Sequence, residues 1–537
     1  MTGREQVPEL LAAAVGERAF EFGHVLASRQ YWGHWLSDVQ DGCQPHELIR
    51  ARNALGSLLL ELGEFQDALQ LFLLNRETLD GLSSDLAYER IRVDTNVSVA
   101  RYFMGDVSGA LQEIEAACAA ACSETPPPIL GRMYQQANIV SIAHQRWREA
   151  AEYGLRAVEN YEMVGDMSGM AQALLNLGIA EAGMGQSAAI RRYEKAIDMA
   201  EAAGDYRTVA FCYTELARHA LNEGAMRVAI ESGREALRTL WSQFQSVDKA
   251  EVARLCEVFG RIALRSTDRY QGLVYLERAS IYYAQSEMWR EWAEMNGLIQ
   301  EEKLALDASS GLHAGSSEFD LDLKEMEVLD YFTSLFALLD MMDGMYPGLK
   351  KTADLTTRYS LLLAETLGAD LTQREVLSHA SRLHDIGLTA VDREIVGAQG
   401  DISGAALRRI ESHPVMGEQT LSSFPVPPEA LAATRSHHEN YDGTGYPDAI
   451  RGEAIPLAAR ILAVAEEYVE AVLRAHSEGH GEAHTAGLVR IRDLACTRLD
   501  PALVDAFIRM HEYDAVQSAG SAAGGGSSAA GVGGSSA

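Results

Sequence analysis

The sequence predicts an all-α protein with two parts, an N-terminal array of helical repeats and a C-terminal helical domain. Two observations support this fold class. A pattern of small and apolar residues recurs about every 40 residues through the first three hundred positions. Farther along, segments 352–368 and 373–387 place apolar residues three and four positions apart, which is the spacing of one face of a helix. The length of 537 residues is consistent with more than one domain.

The repeat is clearest in segments 54–72, 99–117 and 176–196, where an apolar helix leads into a Gly turn and a second helix. Small residues let the two helices approach closely, so each unit is a hairpin that must stack on its neighbours. A sixth, weaker copy is expected around Gly272 and Ala279. The alanine that opens the second helix recurs every 39–42 residues, at Ala68, Ala110, Ala150, Ala189 and Ala229. Another alanine follows seven residues later in four copies, at Ala117, Ala157, Ala196 and Ala236.

This pattern resembles tetratricopeptide repeats of the longer kind, although their signature tryptophan and proline positions are mostly absent. The resemblance implies an array of repeats over residues 1–305. Stacked hairpins form a curved array whose concave face binds peptides, proteins or sometimes small ligands, and here we expect protein partners. Nothing along the array has a catalytic pattern, and aromatic residues such as Tyr193 are expected to belong to the core.

The composition also divides the rest of the chain. Residues 306–320 are rich in Ser, Gly and Ala and are predicted to form a hinge linker. A connecting helix is predicted over 321–346, and the second helical domain over 347–513. Residues 514–537 are low-complexity Gly, Ser and Ala, and we predict that this tail is disordered.

The formal net charge of −31 argues against nucleic-acid binding, which needs a basic face. An anionic ligand would therefore have to be held by local positive charge or by metal ions. No apolar run approaches the ~18–20 residues that cross a bilayer, and the N-terminus lacks a signal pattern. We therefore expect a cytoplasmic protein without membrane contact, whose six cysteines, lacking CxxC spacing, are reduced.

Three short motifs in the second domain carry metal-binding residue types: LHDIG (383–387), ESHPVMGE (411–418) and HHENYDGTGYP (437–447). Taken singly, each has an ordinary explanation as a helix cap, a turn or a surface loop. Together they supply four imidazoles and a carboxylate, the ligands that first-row divalent metals prefer. Helices in a bundle commonly direct such ligands inward. These candidate ligands are His384, Asp385, His413, His437 and His438.

With the segment GEAIPLAARILAVA (452–465), the three motifs resemble the HD-GYP domain family over 347–513, about a third of the chain. LDPALVDAF (499–507) is similar to the usual end of that domain. The resemblance implies a bacterial signal-transduction protein that hydrolyses the second messenger cyclic di-GMP. Catalysis would take place at a two- or three-metal centre, typically iron or manganese, in which metal ions activate water and hold the phosphate.

Site roles follow from the resemblance, position by position. His384 and Asp385 match the catalytic HD pair, with Asp385 as the bridging metal ligand. His413, His437 and His438 match further metal ligands, and Glu466 stands where the family has a ligand aspartate. The glycines of the last motif allow a tight backbone path. The implied substrate or partner loop comprises Asp442, Gly443, Gly445, Tyr446 and Pro447.

At other positions of the family motif, this sequence has different residues. Gly348 and Thr352 stand where the family has a glutamate and a histidine ligand, and Leu388 replaces a lysine that contacts phosphate. The remaining ligands are sufficient for one ion, but a two-metal mechanism would lack half of its ligands. We therefore expect a phosphodiesterase with weak or lost activity, regulated through the repeats. The alternative is an inactive sensor or scaffold that binds cyclic di-GMP or partner proteins. Candidates to replace the lysine are Arg451, Arg460 and Arg474.

Overall fold

The computed structural model describes residues 29–30, 32–33, 36, 44–82, 86–242, 249–265, 269–286, 288–308, 323–396, 404–479 and 482–511. Every regular element in these ranges is a helix, which confirms the predicted all-α class. None of the described helices combines the length and the apolar character that crossing a membrane requires. The predicted tail, and all of the predicted hinge beyond residue 308, lie outside the described residues.

The helices are named here in chain order. The first twelve are α1 Pro45–Glu61, α2 Phe65–Asp80, α3 Ala87–Phe103, α4 Val107–Ala120, α5 Pro127–Ala143, α6 Trp147–Val164, α7 Met167–Gly183, α8 Ala188–Ala203, α9 Tyr206–Asn222, α10 Met226–Ser242, α11 Lys249–Leu264 and α12 Arg269–Gln285. They are followed by α13 Trp289–Ala308, α14 Leu323–Met345, α15 Leu349–Thr366, α16 Leu371–Leu383, α17 Arg393–Val396, α18 Gly404–Ile410, α19 His413–Leu421, α20 Pro428–Ser436, α21 Leu457–Ser477 and α22 Ala483–Leu494. A 3₁₀ segment, His384–Ala390, directly continues α16.

The chain forms two compact units. One contains residues up to Thr78, Lys351–Glu418 and the residues from Pro427 onward, and the other contains Leu79–Lys350 with Gln419–Val426. The boundary after Thr78 falls within α2, so the first hairpin belongs to the same unit as the C-terminal helices.

The second unit contains the stacked hairpins, in which the recurring alanines are the points of closest packing. Ala110, Ala150, Ala189 and Ala229 have no exposed surface. Tyr193 is also fully buried, and an added Cβ on Gly178 would lie 2.6 Å from its ring. The small residues therefore let neighbouring helices pack closely, as the sequence predicts, and the weak sixth copy is the hairpin of α11 and α12.

The first hairpin, α1 with α2, shares a hydrophobic core with helices of the C-terminal domain. Leu58 of α1 is fully buried in the same cluster as Tyr359 of α15 and Tyr468 of α21. At the turn after α1, Glu64 accepts a hydrogen bond from Lys351 at 2.8 Å. The hydrophobic periodicity predicts that this hairpin is one of the repeats. It does not predict which helices the hairpin packs against.

The C-terminal core also fixes the start of the segment that carries the HD pair. The rings of Tyr359 and Tyr468 meet edge-on at 4.9 Å. Helix α16 begins at a capping box, in which Asp370 and Gln373 bond each other's backbone amides. Because α16 runs without a break into the 3₁₀ segment, its position determines where His384 lies.

Candidate metal centre

Two backbones approach unusually closely at Gly387, and this contact brings the first two motifs together. An added Cβ on Gly387 would lie 2.0 Å from the His413 carbonyl oxygen and 2.6 Å from the amide nitrogen of Gly417. No side chain fits at that distance, so glycine is required for the approach. Asp385 and His413 are consequently held near each other by the packing of main chains.

The histidine pair directly follows α20 and is covered by the glycine-rich loop. An added Cβ on Gly445 would lie 2.1 Å from the Asn440 amide nitrogen and 2.6 Å from the His438 carbonyl oxygen. The Tyr446 amide donates to that same carbonyl at 3.2 Å. Gly443 adopts a φ of 85°, which favours glycine. The loop therefore folds back onto the chain that carries the pair.

Four of the predicted ligands form one cluster. Asp385, His413, His437 and His438 each bring one potential ligand atom within 4.8 Å of the others. Nε2 of His413 lies 3.2 Å from Nε2 of His437 and 3.3 Å from Oδ1 of Asp385. Imidazole nitrogens and a carboxylate oxygen at such distances match the donor set of a divalent transition metal.

Three of the histidines are oriented in the same way by the backbone. In each, Nδ1 lies at hydrogen-bond distance from the carbonyl oxygen three residues earlier. Because a carbonyl only accepts, Nδ1 carries a hydrogen in each of the three rings, and Nε2 keeps its lone pair wherever the ring is neutral. Such bonds are typical of metal-binding histidines, whose ring orientation and tautomer they fix. The pairs are His384 with Ser381 at 2.7 Å, His413 with Ile410 at 2.7 Å and His437 with Thr434 at 2.6 Å.

His384 and Glu466 adjoin this cluster on one side. His384 Nε2 lies 3.3 Å from Oδ2 of Asp385 and 3.9 Å from Oε1 of Glu466. Asp385 thus has one oxygen toward His384 and the other toward His413, the arrangement that a bridging carboxylate needs. Glu466 is buried on α21, and its longer side chain still reaches the site.

Burial and mutual charge dominate the protonation of these groups. Burial, followed by the neighbouring imidazoles, lowers the pKa of His437 well below its usual value and favours the neutral form. For His384, burial opposes the charge, but Asp385 and Glu466 outweigh it and raise the pKa to about 10. Burial raises the pKa of Glu466 to about 8. A neutral His437 has the protonation state that metal binding requires.

The loop residues of the third motif have separate roles: some set the shape of the loop, and Tyr446 packs beside His438. Asp442 accepts bonds from the amide (2.9 Å) and hydroxyl (2.6 Å) of Thr444, which close a turn. The Tyr446 ring lies 5.0 Å from the His438 ring, and the bond from Tyr446 to Pro447 is cis. Just past this bond, Asp448 receives two bonds from Arg435, at 2.7 and 2.8 Å.

At the positions where this sequence departs from the family pattern, the residues do not have metal-binding side chains. Gly348 precedes α15 at a φ of 97°, and Thr352 lies in the first turn of that helix. Leu388 is buried in the 3₁₀ segment. Of the arginines considered as replacements for the lysine, Arg460 is bound to Asp500 at 2.6 Å.

The structure instead brings a different arginine to the cluster, one that the sequence did not single out. Arg498 Nη2 lies 3.3 Å from Nδ1 of His438. The one feature of the sequence that could have indicated Arg498 is its position directly before LDPALVDAF, a segment that resembles the end of the family domain. That position shows only that Arg498 is near this segment in the chain, and it does not show how far Arg498 lies from the histidines in space.

Comparisons with known proteins agree with this geometry. A family model described as an HD domain matches residues 337–503. The chain is 36% identical over 151 residues to the cyclic di-GMP phosphodiesterase response regulator RpfG of Xanthomonas campestris, covering 28% of this chain and 39% of that protein. It is 33% identical over 108 residues to the 3′3′-cGAMP-specific phosphodiesterase 3 of Vibrio cholerae, covering 20% and 24%. The chain thus spans less than half the length of these curated relatives.

Among solved structures, the apo form of RapI aligns with 55% of this chain and 100% of its own, at 13% identity and a TM-score of 0.41. The match over 337–503 contains all three histidine motifs and the four clustered side chains. The C-terminal part of this chain is an HD domain, similar in sequence to those of cyclic di-GMP phosphodiesterases.

Proposed function

We propose that this protein is a bacterial, cytoplasmic signalling protein whose HD domain binds a divalent metal ion and hydrolyses a cyclic dinucleotide, in the first place cyclic di-GMP. The observation that carries the proposal is the cluster of Asp385, His413, His437 and His438 within 4.8 Å. Relatives named for cyclic di-GMP and for 3′3′-cGAMP hydrolysis support the substrate class.

The chain's own residues prepare this reaction before any ligand binds. The carbonyl contacts of His413 and His437 fix their rings with Nε2 available as ligand atoms. Asp385 adds a carboxylate oxygen. When bound there, iron or manganese would lower the pKa of a coordinated water and polarise the phosphoryl oxygen. The Tyr446 ring lies 5.0 Å from the His438 ring, at the edge of this site.

We propose a single ion and slow turnover, because the ligands for a neighbouring ion are missing. Gly348 has no side chain, and Thr352 offers a hydroxyl where a stronger donor is expected. His384, close to Asp385 and Glu466, is the nearest further donor. A single ion can activate water or hold the phosphate, but it does not clamp both the attacking and the leaving oxygen.

The test combines metal analysis with a hydrolysis assay in Mn²⁺ or Fe²⁺. Wild-type protein is expected to bind about one equivalent of metal and to convert cyclic di-GMP slowly. His437→Ala should abolish both metal binding and turnover. His476→Ala, which removes an exposed histidine from α21, is the matched control and should change neither. Running 3′3′-cGAMP in parallel distinguishes the two substrates.

The second candidate is an inactive sensor or scaffold, which the residues at 348 and 352 favour. As a sensor, it predicts cyclic di-GMP binding without product in any metal. Failure to bind either the dinucleotide or Mn²⁺ would exclude the phosphodiesterase and the dinucleotide sensor, and only a scaffold for partner proteins would remain.

We also propose that the repeat array regulates the HD domain by binding a protein partner. Its support is the stack of hairpins closed by buried alanines such as Ala150 and Ala189, an architecture that presents an extended binding face. Gly178→Ala would crowd Tyr193 and disturb the array locally. A regulatory array predicts that this variant changes turnover of cyclic di-GMP, whereas an independent array predicts unchanged turnover.

A further inference from the structure

The first helices of successive hairpins form one layer of the repeat array. Helix α3 packs against α5, α5 against α7, α7 against α9 and α9 against α11, whereas the second helices make their main contacts with first helices. The layer whose helices lie closest together is on the inside of a curved stack, and this concave side is where helical-repeat proteins bind their partners. We call the exposed side of this layer the inner face.

Polar side chains connect neighbouring helices across the inner face. Gln135 of α5 donates to Gln172 of α7 at 3.0 Å, and Gln172 donates to Asp205, at the start of α9, at 3.4 Å. The hydroxyl of Tyr161 donates to the amide oxygen of Gln135. Each glutamine amide has two hydrogens and uses one of them in this network, so among the described residues both glutamines retain a donor for a ligand.

Arg132 lies beside this network, three residues before Gln135 and therefore on the same face of α5. Its neighbour Gly131 packs against Tyr161, because an added Cβ there would lie 3.1 Å from the ring. The Arg132 side chain is exposed to solvent. The ring of Tyr161 thus fixes this turn of α5, while the guanidinium of Arg132 stays accessible to a ligand.

The charge of Arg132 is not matched by a carboxylate. None of the described residues forms a hydrogen bond or an ion pair with its guanidinium. Desolvation by the surrounding protein lowers the pKa of Arg132; the Tyr161 phenol opposes this change, and the like charge of Arg92 on α3 adds to it. Arg92 itself is paired with Glu89 at 3.1 Å. A guanidinium that is partly desolvated and close to a second cation is stabilised by an anion.

The acidic groups on this part of the inner face already have partners. Asp166 accepts a hydrogen bond from the Gly169 amide at 2.9 Å, and Asp205 accepts one from the Thr208 amide at 3.1 Å, each at the start of its helix. The chain has 77 acidic residues against 46 basic ones, so the lack of a carboxylate at Arg132 does not come from a shortage of acids. A carboxylate from another molecule is the group that this position lacks.

We propose that Arg132 binds a carboxylate of an acidic peptide segment that lies along the inner face of the array, with Gln135 and Gln172 donating to the peptide backbone. A carboxylate matches the guanidinium through two parallel hydrogen bonds. Gln172 belongs to the next first helix, so only an extended ligand reaches it and Arg132 together. This inference rests on the proposed role of the array in binding a protein partner.

Peptide binding is measured by fluorescence anisotropy with the full-length protein. The probe is a labelled peptide of about ten alternating Glu and Ala residues, which spans about 33 Å when extended and crosses three helices about 10 Å apart. A peptide with Gln in place of Glu is the control. At about 0.15 M salt, distant acidic groups of the protein are screened. The Glu peptide should bind at least about fivefold more tightly than the Gln peptide, and equal binding would overturn the proposal.

Variants locate this preference. Arg132→Gln should remove most of it, whereas Arg132→Lys keeps the charge and should retain part of it. The matched control is Arg148→Gln, because Arg148 is exposed on α6, the second helix of the same hairpin. Its loss should change the affinity less than about twofold. Full preference in Arg132→Gln, or an equal loss in Arg148→Gln, would contradict the assignment. Thermal unfolding of each variant excludes loss of fold as the cause.

Chemical modification tests the site in the wild type. Phenylglyoxal reacts with accessible guanidinium groups, and mass spectrometry measures the extent of reaction at each arginine. At a concentration twice its dissociation constant, the Glu peptide should slow modification of Arg132 about threefold and leave that of Arg148 unchanged. Acetate at the same carboxylate concentration should protect neither. Equal protection of Arg132 by acetate would refute a peptide site, and no protection by the Glu peptide would refute any carboxylate site there.

These outcomes are separate from those of the hydrolysis assay. Peptide binding needs neither metal nor turnover, so a protein that does not hydrolyse cyclic di-GMP can still confirm the role of Arg132. If the Glu peptide binds through Arg132 and leaves turnover unchanged, the peptide site is confirmed and the regulatory role of the array fails. If no peptide binds, the peptide site fails and the proposed hydrolysis is unaffected.

Discussion

The repeat array and the candidate metal centre are both helical, but they are built in different ways. In the array the same packing recurs, with an alanine such as Ala110 or Ala229 fully buried in each hairpin. Each hairpin contacts its neighbours, so the stability of the array is a sum of similar terms. In the candidate metal centre nothing recurs, because Asp385 and His413 come from separate segments that meet at the close backbone contact of Gly387.

This difference predicts how each region responds to substitution. A change in the array alters one of many similar interfaces, so it should reduce stability only by the contribution of that interface. A change at the metal centre removes a group without a substitute, so metal binding should be lost even where the fold survives. Four predictions test this contrast.

The largest effect is expected from Gly387→Ala. The added Cβ would lie 2.0 Å from a backbone carbonyl, so the 3₁₀ segment and α19 must separate. Mn²⁺ affinity should decrease at least about tenfold, and the free energy of unfolding by about 1–3 kcal/mol. Calorimetry and denaturant unfolding measure the two quantities.

Gly404→Ala is the control, because the nearest atom to its added Cβ is a side-chain nitrogen of Arg408 at 3.9 Å. Retention of full Mn²⁺ affinity by Gly387→Ala would show that the close backbone contact does not position the ligands.

The next effect is a pH dependence of stability from His379, a buried histidine in the C-terminal domain. Burial lowers the pKa of His379 to about 4 from 6.5. The unfolded chain takes up this proton below pH 6.5 and the folded chain only near pH 4. Stability is therefore lost as the pH falls through that window, by up to about 1.4 kcal/mol per pH unit.

Unfolding of the wild type and of His379→Leu at pH 7, 6 and 5 measures this contribution. The stability difference between the two should shift in favour of the variant as the pH falls. His46→Leu, at an exposed position of α1, provides the comparison. Parallel pH curves for the wild type and His379→Leu would contradict the predicted linkage.

The next largest effect is expected from overpacking the core of the array. Ala196→Leu places a larger side chain at a fully buried position beside Tyr193 and Ile197. We expect a loss of about 1–3 kcal/mol in unfolding free energy. Mn²⁺ affinity should stay at the wild-type value, since the change is confined to one hairpin. A decrease in affinity would mean that the array and the metal centre are not energetically separate.

The smallest effects are expected from ion pairs, and here the two regions can be matched directly. Arg435 binds Asp448 and Glu418 and is 30% exposed, whereas Arg238 pairs with Glu235 and is 74% exposed. Arg435→Ala should cost about 1 kcal/mol, and Arg238→Ala at most about 0.5 kcal/mol. Urea unfolding of both variants tests the order, and equal losses would contradict it.

The helical class, the repeats and the residues that form the His/Asp cluster could be predicted from the sequence. Hydrophobic spacing and recurring alanines are local properties, and residues such as His437 and His438 stand in long, ordered motifs. The packing of Leu58 with Tyr359 and Tyr468 could not be predicted. All repeat hairpins have a similar pattern, and no local signal distinguishes the one that joins another core.

The amino-acid sequence alone determined which donor groups this protein can offer a metal ion, and that the family's Glu and His positions are Gly348 and Thr352. Only the tertiary structure decided the orientation of each ring, through the carbonyl beside His413 and the guanidinium of Arg498 beside His438. The physical reason is that residue type follows from the chain itself. Hydrogen-bond direction depends on distances of about 3 Å between segments far apart in sequence, and these exist only after folding.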